Sequence, residues 1–332
     1  MDKKTKIDSP FISIIIPALN EEAVIGHCLT SIKMLNTENL FSEIIVVDNG
    51  SKDKTIQLSE GYGARVLVKK DGTISALRNY GARASKGEVL AFLDADCMVP
   101  NDWLEKSLYY LSENDSTILG FRLSIPDSSN WVARCWDLLF VKRYSTGEVD
   151  WVPTGNMVMN RKTFISVGGF NEELETNEDI DICFRAKKLG CKIIASAETS
   201  VINLRPPESL KMIFKKELWH GKEAFRVFLS DVFDSKRINL FKAKNSKVIA
   251  YSLFYLMCIL FFLFSLVLVF SGKTPSLLLL ALMCPVVVSF FLAIKYVMSP
   301  KKYDLIFGMT ILLMAYGFSR ALGLLSFTGP KK

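Results

Sequence analysis

Two groups of carboxylates carry most of the chemistry this sequence can offer. Asp94 and Asp96 follow the apolar run 89–93, and Glu178, Asp179 and Asp181 open a polar segment near the middle of the chain. In an extended strand, residues two apart project to the same side. Two such carboxylates can hold a hard divalent ion, Mg²⁺ or Mn²⁺, which can bridge a diphosphate. Aspartates at strand ends also cap the helix that follows, so the pair alone does not define a metal site. The second group has an ordinary reading too, because the macrodipole stabilises acidic residues in a helix's first turn. Three carboxylates within four residues exceed that need, and their mutual repulsion suits one of them to act as a base. Spacing does not choose among the three. Ile180, Cys183 and Phe184 are expected on the core side, leaving both aspartates free.

Other chemistries have less to draw on. No GxGxxG or GxxxxGK[ST] loop follows the first apolar run, which weighs against a dinucleotide enzyme or a P-loop NTPase. The two histidines, His27 and His220, leave little for a histidine zinc site or a serine–histidine triad. His27 falls off the apolar stripe of its helix and reads as solvated. The seven cysteines show no CxxC pair, as expected of reduced thiols rather than a disulfide framework.

The elements that must position the carboxylates alternate in type. Strands are expected at 11–17, 43–48, 64–68 and 89–93, with helices at 74–84 and 102–112 and a helix from Asn20 onward carrying Ile25, Cys28, Leu29 and Ile32. The continuous apolar run FISIIIP suits a strand covered on both faces. This order implies an α/β fold with a mostly parallel sheet. Further on, 151–159 reads as a strand, 161–167 as a short helix, and 178–188 as a helix capped by Asn177 and stopped by Gly190. Ligands of open α/β sheets bind beyond the carboxyl ends of the strands. The segments 17–22 (PALNEE) and 48–53 (DNGSKD) are therefore expected to meet Asp94 and Asp96 in one crevice.

Composition then divides the chain. Half of its 332 residues are hydrophobic, and the mean hydropathy is +0.25. The excess lies beyond about residue 245, in stretches 248–270, 276–298 and 304–327, each longer than the roughly 20 residues that cross a bilayer. The third contains Arg320 and Gly308, Gly317 and Gly323, and reads as a span or a re-entrant segment. The formal charge is +7, and Lys211, Lys215, Lys216, Lys222, Arg226, Lys236, Arg237, Lys242, Lys244 and Lys247 gather just before the first stretch. A basic collar there fits an anionic cytoplasmic leaflet; no nucleic-acid motif accompanies it. Residues 208–232 mix apolar and basic side chains, as an interfacial helix would. Lys301 and Lys302 point their loop inward, giving in–out, out–in, in–out. The domains expected are 1–207, catalytic; 208–247, basic and interfacial; and 248–332, in the membrane. The N-terminal MDKKTKIDSP has no apolar signal-peptide core.

Taken in order, SIIIPALNEE (13–22), VVDNGSKDKT (46–55), LRNYGARASKGEVLAFLDADCMVP (77–100), GGF (168–170) and NEDIDICFRAKKLG (177–190) resemble the family 2 glycosyltransferases of GT-A fold. The resemblance covers about residues 12–226. It implies an inverting, metal-dependent, hexosyltransferase-like enzyme using a UDP- or GDP-linked sugar. Pro17, Ala18, Asn20 and Glu21 would line the nucleotide pocket, Asp48 would contact the base, and Arg78 would lie near base or ribose. Asp96 would be the more direct metal ligand, Asp94 would reach ribose or metal, and Asp179 would be the catalytic base. Trp219-His220-Gly221-Lys222 would stand near the diphosphate. Two departures are visible: Asn49 replaces a second aspartate after Asp48, and Asn203 stands where relatives often carry histidine.

The membrane segments and the basic stretch 211–228 favour a lipid-linked acceptor, a polyprenyl phosphate or glycolipid, as in cell-envelope polysaccharide or glycolipid synthesis. The enzyme would be multi-pass in the cell membrane with its catalytic domain cytosolic. A non-catalytic nucleotide-sugar sensor, or a transferase with a soluble or protein acceptor, are the alternatives. A nucleotidyltransferase lacks its glycine-rich activation loop here.

Overall fold

β1 (Ile12–Ala18) is buried along its whole length, with Ile12, Ile14, Ile15 and Ile16 at 0–1% exposure. In the computed structural model, which describes residues 11–35, 42–141, 146–221, 246–272, 276–297 and 300–325, its side chains alternate between two cores. Ile12, Ile14, Ile16 and Ala18 join one apolar cluster, and Ile15 joins another on the opposite face. Each such isoleucine contributes roughly 1.5–3 kcal/mol, which is why the run shows no polar alternation.

The chain divides into two units, one of residues 1–127 and 141–205, the other of 128–140 and 206–332. In the first, β1 is followed by α1 (Ile25–Lys33), β2 (Ser42–Asp48), α2 (Thr55–Gly61), β3 (Arg65–Val68), α3 (Ile74–Ala84), β4 (Val89–Leu93), β5 (Cys97–Met98), α4 (Trp103–Glu113) and β6 (Thr117–Ser124). After α5 (Trp131–Val141) come β7 (Gly147–Glu148), β8 (Asn156–Asn160), α6 (Arg161–Val167), α7 (Glu178–Lys188) and β9 (Lys192–Asn203). The nine-stranded sheet runs β3-β2-β1-β4-β8-β6-β9-β5, with β7 beside β9. β3, β2, β1 and β4 are parallel, and β6 pairs β9 in parallel. β8, β5 and β7 run against their neighbours, so the sheet is mixed.

Helices cover both faces. Residues of α1 and α4 complete one cluster; Leu77 and Ala82 of α3, Phe164 and Val167 of α6, and Ile182, Cys183 and Ala186 of α7 complete the other. The core stripe of α7 is thus Ile182, Cys183 and Ala186 rather than Ile180, Cys183 and Phe184. Asn20 does not cap α1, whose N-cap position is Val24. Asn177 does occupy the N-cap of α7, but in the left-handed region and with no capping side-chain bond. Gly190, at φ 83°, follows the last turn of that helix. All seven cysteines are free thiols.

The second unit holds α5, α8 (210–221), α9 (Ser246–Phe270), α10 (Ser276–Tyr296), a 3₁₀ turn (Pro300–Leu305) and α11 (Ile306–Leu325). Three of its helical stretches, Val248–Phe270, Ser276–Tyr296 and Tyr303–Leu325, are long and apolar enough to cross a membrane. The basic positions 222–245, the expected helix beyond residue 221, and residues 298 and 326–327 lie outside the described residues.

Candidate active site

Register brings the carboxyl ends of the parallel strands to one edge. Ala18 pairs with Asp48, and Ile15 pairs with Phe92, two residues before Asp94. The loops after β1 and β2 are laced together. Ser51 Oγ accepts from the Asn20 N–H at 2.8 Å, Thr55 Oγ1 from the Glu21 N–H at 2.7 Å, and Asn20 Oδ1 from the Lys52 N–H at 2.9 Å. This loop, with Asn20 at φ 56°, is the use the sequence makes of the residue expected to cap α1. Asp48 is fully buried. Its Oδ1 accepts from the Gly50 and Ser51 N–H groups at 2.8 Å each, and Oδ2 accepts from Ser51 Oγ at 2.5 Å. Its carboxylate therefore shapes the turn that borders the crevice. Pro17 and Ala18 are buried at the end of β1. Glu21 is half-buried, and its Oε2 lies 2.6 Å from Arg205 Nη1. Burial pushes its carboxyl up against that cation's opposing pull, with Asp96, Asp53 and Asp94 adding to the rise. The three loops thus form one electrostatic neighbourhood.

Asp94 and Asp96 reach it by a turn, not along an extended strand. β4 ends at Leu93, and the Cys97 N–H closes a turn onto Asp94 O at 3.0 Å. The alternation argument for their shared side fails, but the turn keeps them close. Burial, and then the neighbouring Asp94, push the Asp96 carboxyl up. Asn203, at the end of β9, donates from Nδ2 to Asp96 Oδ2 at 3.3 Å, so the residue standing in for histidine borders the acid pair. Among the described residues no three His, Cys, Asp or Glu side chains cluster as a complete ligand set. Two aspartates sharing one turn, with the Asn203 amide beside them, are hard oxygen donors, and a divalent ion that takes its other ligands from phosphate and water fits such a partial set. Cys28 and Cys97 adjoin the same acids; burial pushes both thiols up, so neither offers a thiolate nucleophile.

Arg78 links the two acidic groups. It is 1% exposed; Nη2 donates to Asp94 Oδ1 at 2.7 Å and Nη1 to Glu178 Oε1 at 2.8 Å. Glu178 Oε1 also accepts from Thr154 Oγ1 at 2.9 Å. The antiparallel β8 starts where β4 ends, with Leu93 opposite Asn156, and this sets Thr154 and Gly155 beside Asp94. A Cβ on Gly155 would collide with Asp94 Oδ2. The next residue of α3, Asn79, holds the 168–170 loop: it donates to Phe170 O at 2.8 Å and accepts from the Phe170 N–H at 3.0 Å. Gly81 lets α3 approach β1, since a Cβ there would stand 2.6 Å from Ile15 Cγ2.

The three acids at the start of α7 are now distinguishable. Glu178 is held by Arg78. Asp181 pairs with Arg185 at 2.7 Å, so it is not free as expected; the same guanidinium donates to Gly169 O at 2.8 Å. Among the described residues Asp179 makes no ion pair. Its Oδ1 accepts from the Ile180 N–H at 2.8 Å. Burial first, then the charge of Glu178, push its carboxyl up to about 7, the range a general base needs near neutrality.

His220 belongs to the second unit, on α8. It packs against Trp219, with ring centroids 5.1 Å apart. Burial and the nearby Arg320 and Lys216 push its pKa down to about 3, so it is a neutral imidazole. Gly221 is a packing residue: a Cβ there would lie 3.2 Å from Gly323 Cα of α11. Lys222 lies outside the described residues.

Known proteins converge on one family. Residues 13–170 match the model of Glycosyl transferase family 2. A glycosyltransferase, AglE, of Haloferax volcanii is 26% identical over 238 residues, covering 69% of this chain and 78% of the relative. An uncharacterized glycosyltransferase of Rickettsia typhi is 27% identical over 281 residues, covering 74% and 84%. Among solved structures, a mannosyltransferase from Pyrobaculum calidifontis superposes with a TM-score of 0.57 at 16% identity, covering 96% of this chain and 88% of that one. GalNAc-T7 superposes at 0.53 and 16% identity, over 68% of this chain and about half (51%) of that one. Residues 13–170 form a Glycosyl transferase family 2 domain in a GT-A-like fold, and the chain continues into apolar helices long enough to cross a membrane.

Proposed function

We propose that this enzyme transfers a sugar from a UDP- or GDP-linked donor to a lipid-linked acceptor at the cytosolic face of the cell membrane, with inversion at the anomeric carbon. The observation that carries the mechanism is the separation of the three acids of α7: two are tied to arginines, and Asp179 is left with its carboxyl raised to about 7.

Asp179 takes the proton from an acceptor hydroxyl. The hydroxyl oxygen bonds to the anomeric carbon as the bond from that carbon to the diphosphate oxygen breaks. One displacement leaves the configuration inverted, and no covalent enzyme intermediate forms. Asp94 and Asp96 would hold a divalent ion, Mg²⁺ or Mn²⁺, whose chemistry is to neutralise charge on the departing diphosphate. The structural neighbours are described with Mn²⁺ and with GDP-Man or UDP, which supports that pairing of ion and donor. Pro17, Ala18, Asn20 and Glu21 border the nucleotide pocket, and Asp48 holds the turn beside the base. Arg78 fixes Asp94 and Glu178 with respect to each other. The domain arrangement proposed is a catalytic part up to about residue 207, an interfacial segment, and a membrane part from about 248.

Membranes containing the full chain, incubated with UDP- and GDP-sugars and a panel of acceptors, test this reading. Release of nucleoside diphosphate together with label in organic-extractable product is the expected result. Release of pyrophosphate would exclude sugar transfer. Label found only in water-soluble product would exclude the lipid acceptor and leave the transfer standing.

A further inference from the structure

The arginines around the sheet differ in how much of the guanidinium the fold consumes. Arg161 donates from Nε, Nη1 and Nη2 to Gly87 O, Ala82 O and Ser85 Oγ at 2.6, 2.8 and 2.7 Å. Arg185 spends all three nitrogens on Asp181 Oδ2, Val167 O and Gly169 O. Arg78 gives both Nη atoms to acids and is 1% exposed. Each of these is fastened by the fold. Arg205 is not: in the described contacts its guanidinium donates from Nη1 alone, to Glu21 Oε2 at 2.6 Å, and its side chain is 42% exposed.

The backbone that carries it is fixed. β9 ends beside the acid pair, where Asn203 is opposite Cys97 of β5 and the Leu204 N–H donates to Asp96 O at 2.7 Å. The Asn203 amide works in two directions. Its Oδ1 accepts from the Arg205 N–H at 2.9 Å, and its Nδ2 donates to Asp96 Oδ2 at 3.3 Å. The buried Pro206 follows, which disfavours helical backbone at Arg205. A partly used cation thus stands on a stalk tied to Asp96. Such a stalk reduces the ordering that binding would otherwise require.

The surroundings are acidic. Glu21 lies within the field of Asp53, Asp94 and Asp96, and the buried Arg78 is already matched to Asp94 and Glu178. An ion pair as exposed as Glu21–Arg205 adds little stability by itself. With Nη1 on Glu21, the edge that carries Nε and Nη2 stays open. Two parallel N–H groups on a planar edge match two oxygens of a phosphate. The exposed Lys52 and Lys54 of the neighbouring loop supply charge but no such fork.

We propose that Arg205 is a donor-binding residue of this enzyme, whose Nε–Nη2 edge takes the diphosphate of the nucleotide-sugar, and that Glu21 is the positioning residue that holds the guanidinium at the crevice. The assignment rests on the nucleotide-sugar reading above and deepens it, and it stands whatever the acceptor proves to be. The contact remains on the diphosphate as its bond to the anomeric carbon breaks, so that positive charge lies where negative charge develops.

Binding to the detergent-solubilised full chain tests it. UDP and GDP are followed by titration calorimetry, and the weaker uridine and guanosine by saturation-transfer NMR. Arg205→Gln should weaken the diphosphate that the parent binds by about 10–100-fold and leave the matching nucleoside at parental affinity. Arg205→Lys keeps the charge without the fork and should recover only part of the loss. Because Glu21 acts through Arg205, Glu21→Gln added to Arg205→Gln should cost the diphosphate no more than Arg205→Gln alone; costs that simply add would overturn that link. Equal diphosphate affinity in the parent and Arg205→Gln, or the same fold-loss for diphosphate and nucleoside, would overturn the assignment of Arg205. A parent chain that binds neither UDP nor GDP would instead sink the nucleotide-sugar reading, and the assignment with it.

Discussion

Replacing Arg78 with methionine keeps much of the side chain's length and removes the only charge that faces both Asp94 and Glu178 in the described contacts. Deleting one partner of a buried ion pair costs about 3–5 kcal/mol. Glu178 has a side chain 12% exposed and feels most of that loss, whereas Asp94, at 36%, can take water in place of the guanidinium. The lower end, about 3 kcal/mol, is therefore the better figure. In a domain of roughly two hundred residues 1 kcal/mol moves Tm by about 2–4 °C, so a fall of about 6–12 °C is expected. Arg78→Lys retains the charge, but one ammonium cannot reproduce the two-nitrogen bridge. It should lose one charged hydrogen bond, about 1.5–3 kcal/mol. Thermal unfolding of the detergent-solubilised full chain measures both. The network also predicts coupling: with Glu178→Gln already present, Arg78→Met should cost at least about 1 kcal/mol less than it does alone. A methionine variant that unfolds within about 2 °C of the parent, or effects that simply add, would refute the idea that Arg78 holds the two acidic groups together.

The proposed base, Asp179, can act only when ionised, so with its carboxyl at about 7 the transfer rate should climb with pH up to neutrality and level off above. Asp179→Asn should abolish that limb and cost about 10²–10⁴-fold in turnover while donor binding persists; loss of transfer in Asp181→Asn alone would move the base. Because the folded pKa lies above the ordinary value, ionisation of Asp179 weakens the fold as pH rises towards 7, and the asparagine variant should be the more stable protein at pH 8. Asp94→Ala and Asp96→Ala should each lose metal-supported turnover, and excess EDTA should do the same to the parent; an active double variant would remove the metal. Gly155→Ala should impair turnover by displacing the Asp94 carboxylate, and an alanine variant with unchanged kcat and donor affinity would show that this close approach is dispensable.

Strands buried on both faces were legible because nothing else explains FISIIIP or VLAFL: with α1 and α4 against one face of the sheet and α3, α6 and α7 against the other, every position is apolar except Ser13, whose hydroxyl donates to Glu43 Oε1 at 2.7 Å. Helices 161–167 and 178–188 were legible from their punctuation, Gly168 and Gly190, which both adopt positive φ. The motif LRNYG reads, after the fact, as three separate duties on one helix: Arg78 for the acids, Asn79 for the 168–170 loop, Gly81 for contact with β1. Local reasoning failed where a distant partner decided. Asn20 was free to cap a helix until Ser51 and Lys52 claimed its backbone and side chain. Asp181 was free until Arg185, one turn on, took it. That i, i+4 pair was visible in the sequence and could have narrowed the choice of base to Glu178 or Asp179.

The segment 131–141 shows the same limit on a larger scale. Its residues carry no decodable motif, because they answer to positions about 170 or more residues away: Trp131 to Gly308, Cys135 to Leu305. The three glycines of α11, which with Arg320 left the stretch reading as a span or a re-entrant segment, have different neighbours. Gly308 admits an indole from α5, Gly317 a tyrosine ring from α9, and Gly323 the backbone of α8. Small residues along a membrane helix ordinarily serve contact with other apolar helices. Here two of the three serve α5 and α8, outside the three apolar stretches, and Arg320 lies one turn from the last with its partner Glu217 only 2% exposed. Two of the three glycines and the arginine of α11 therefore serve α5 and α8, and the third serves its packing on α9.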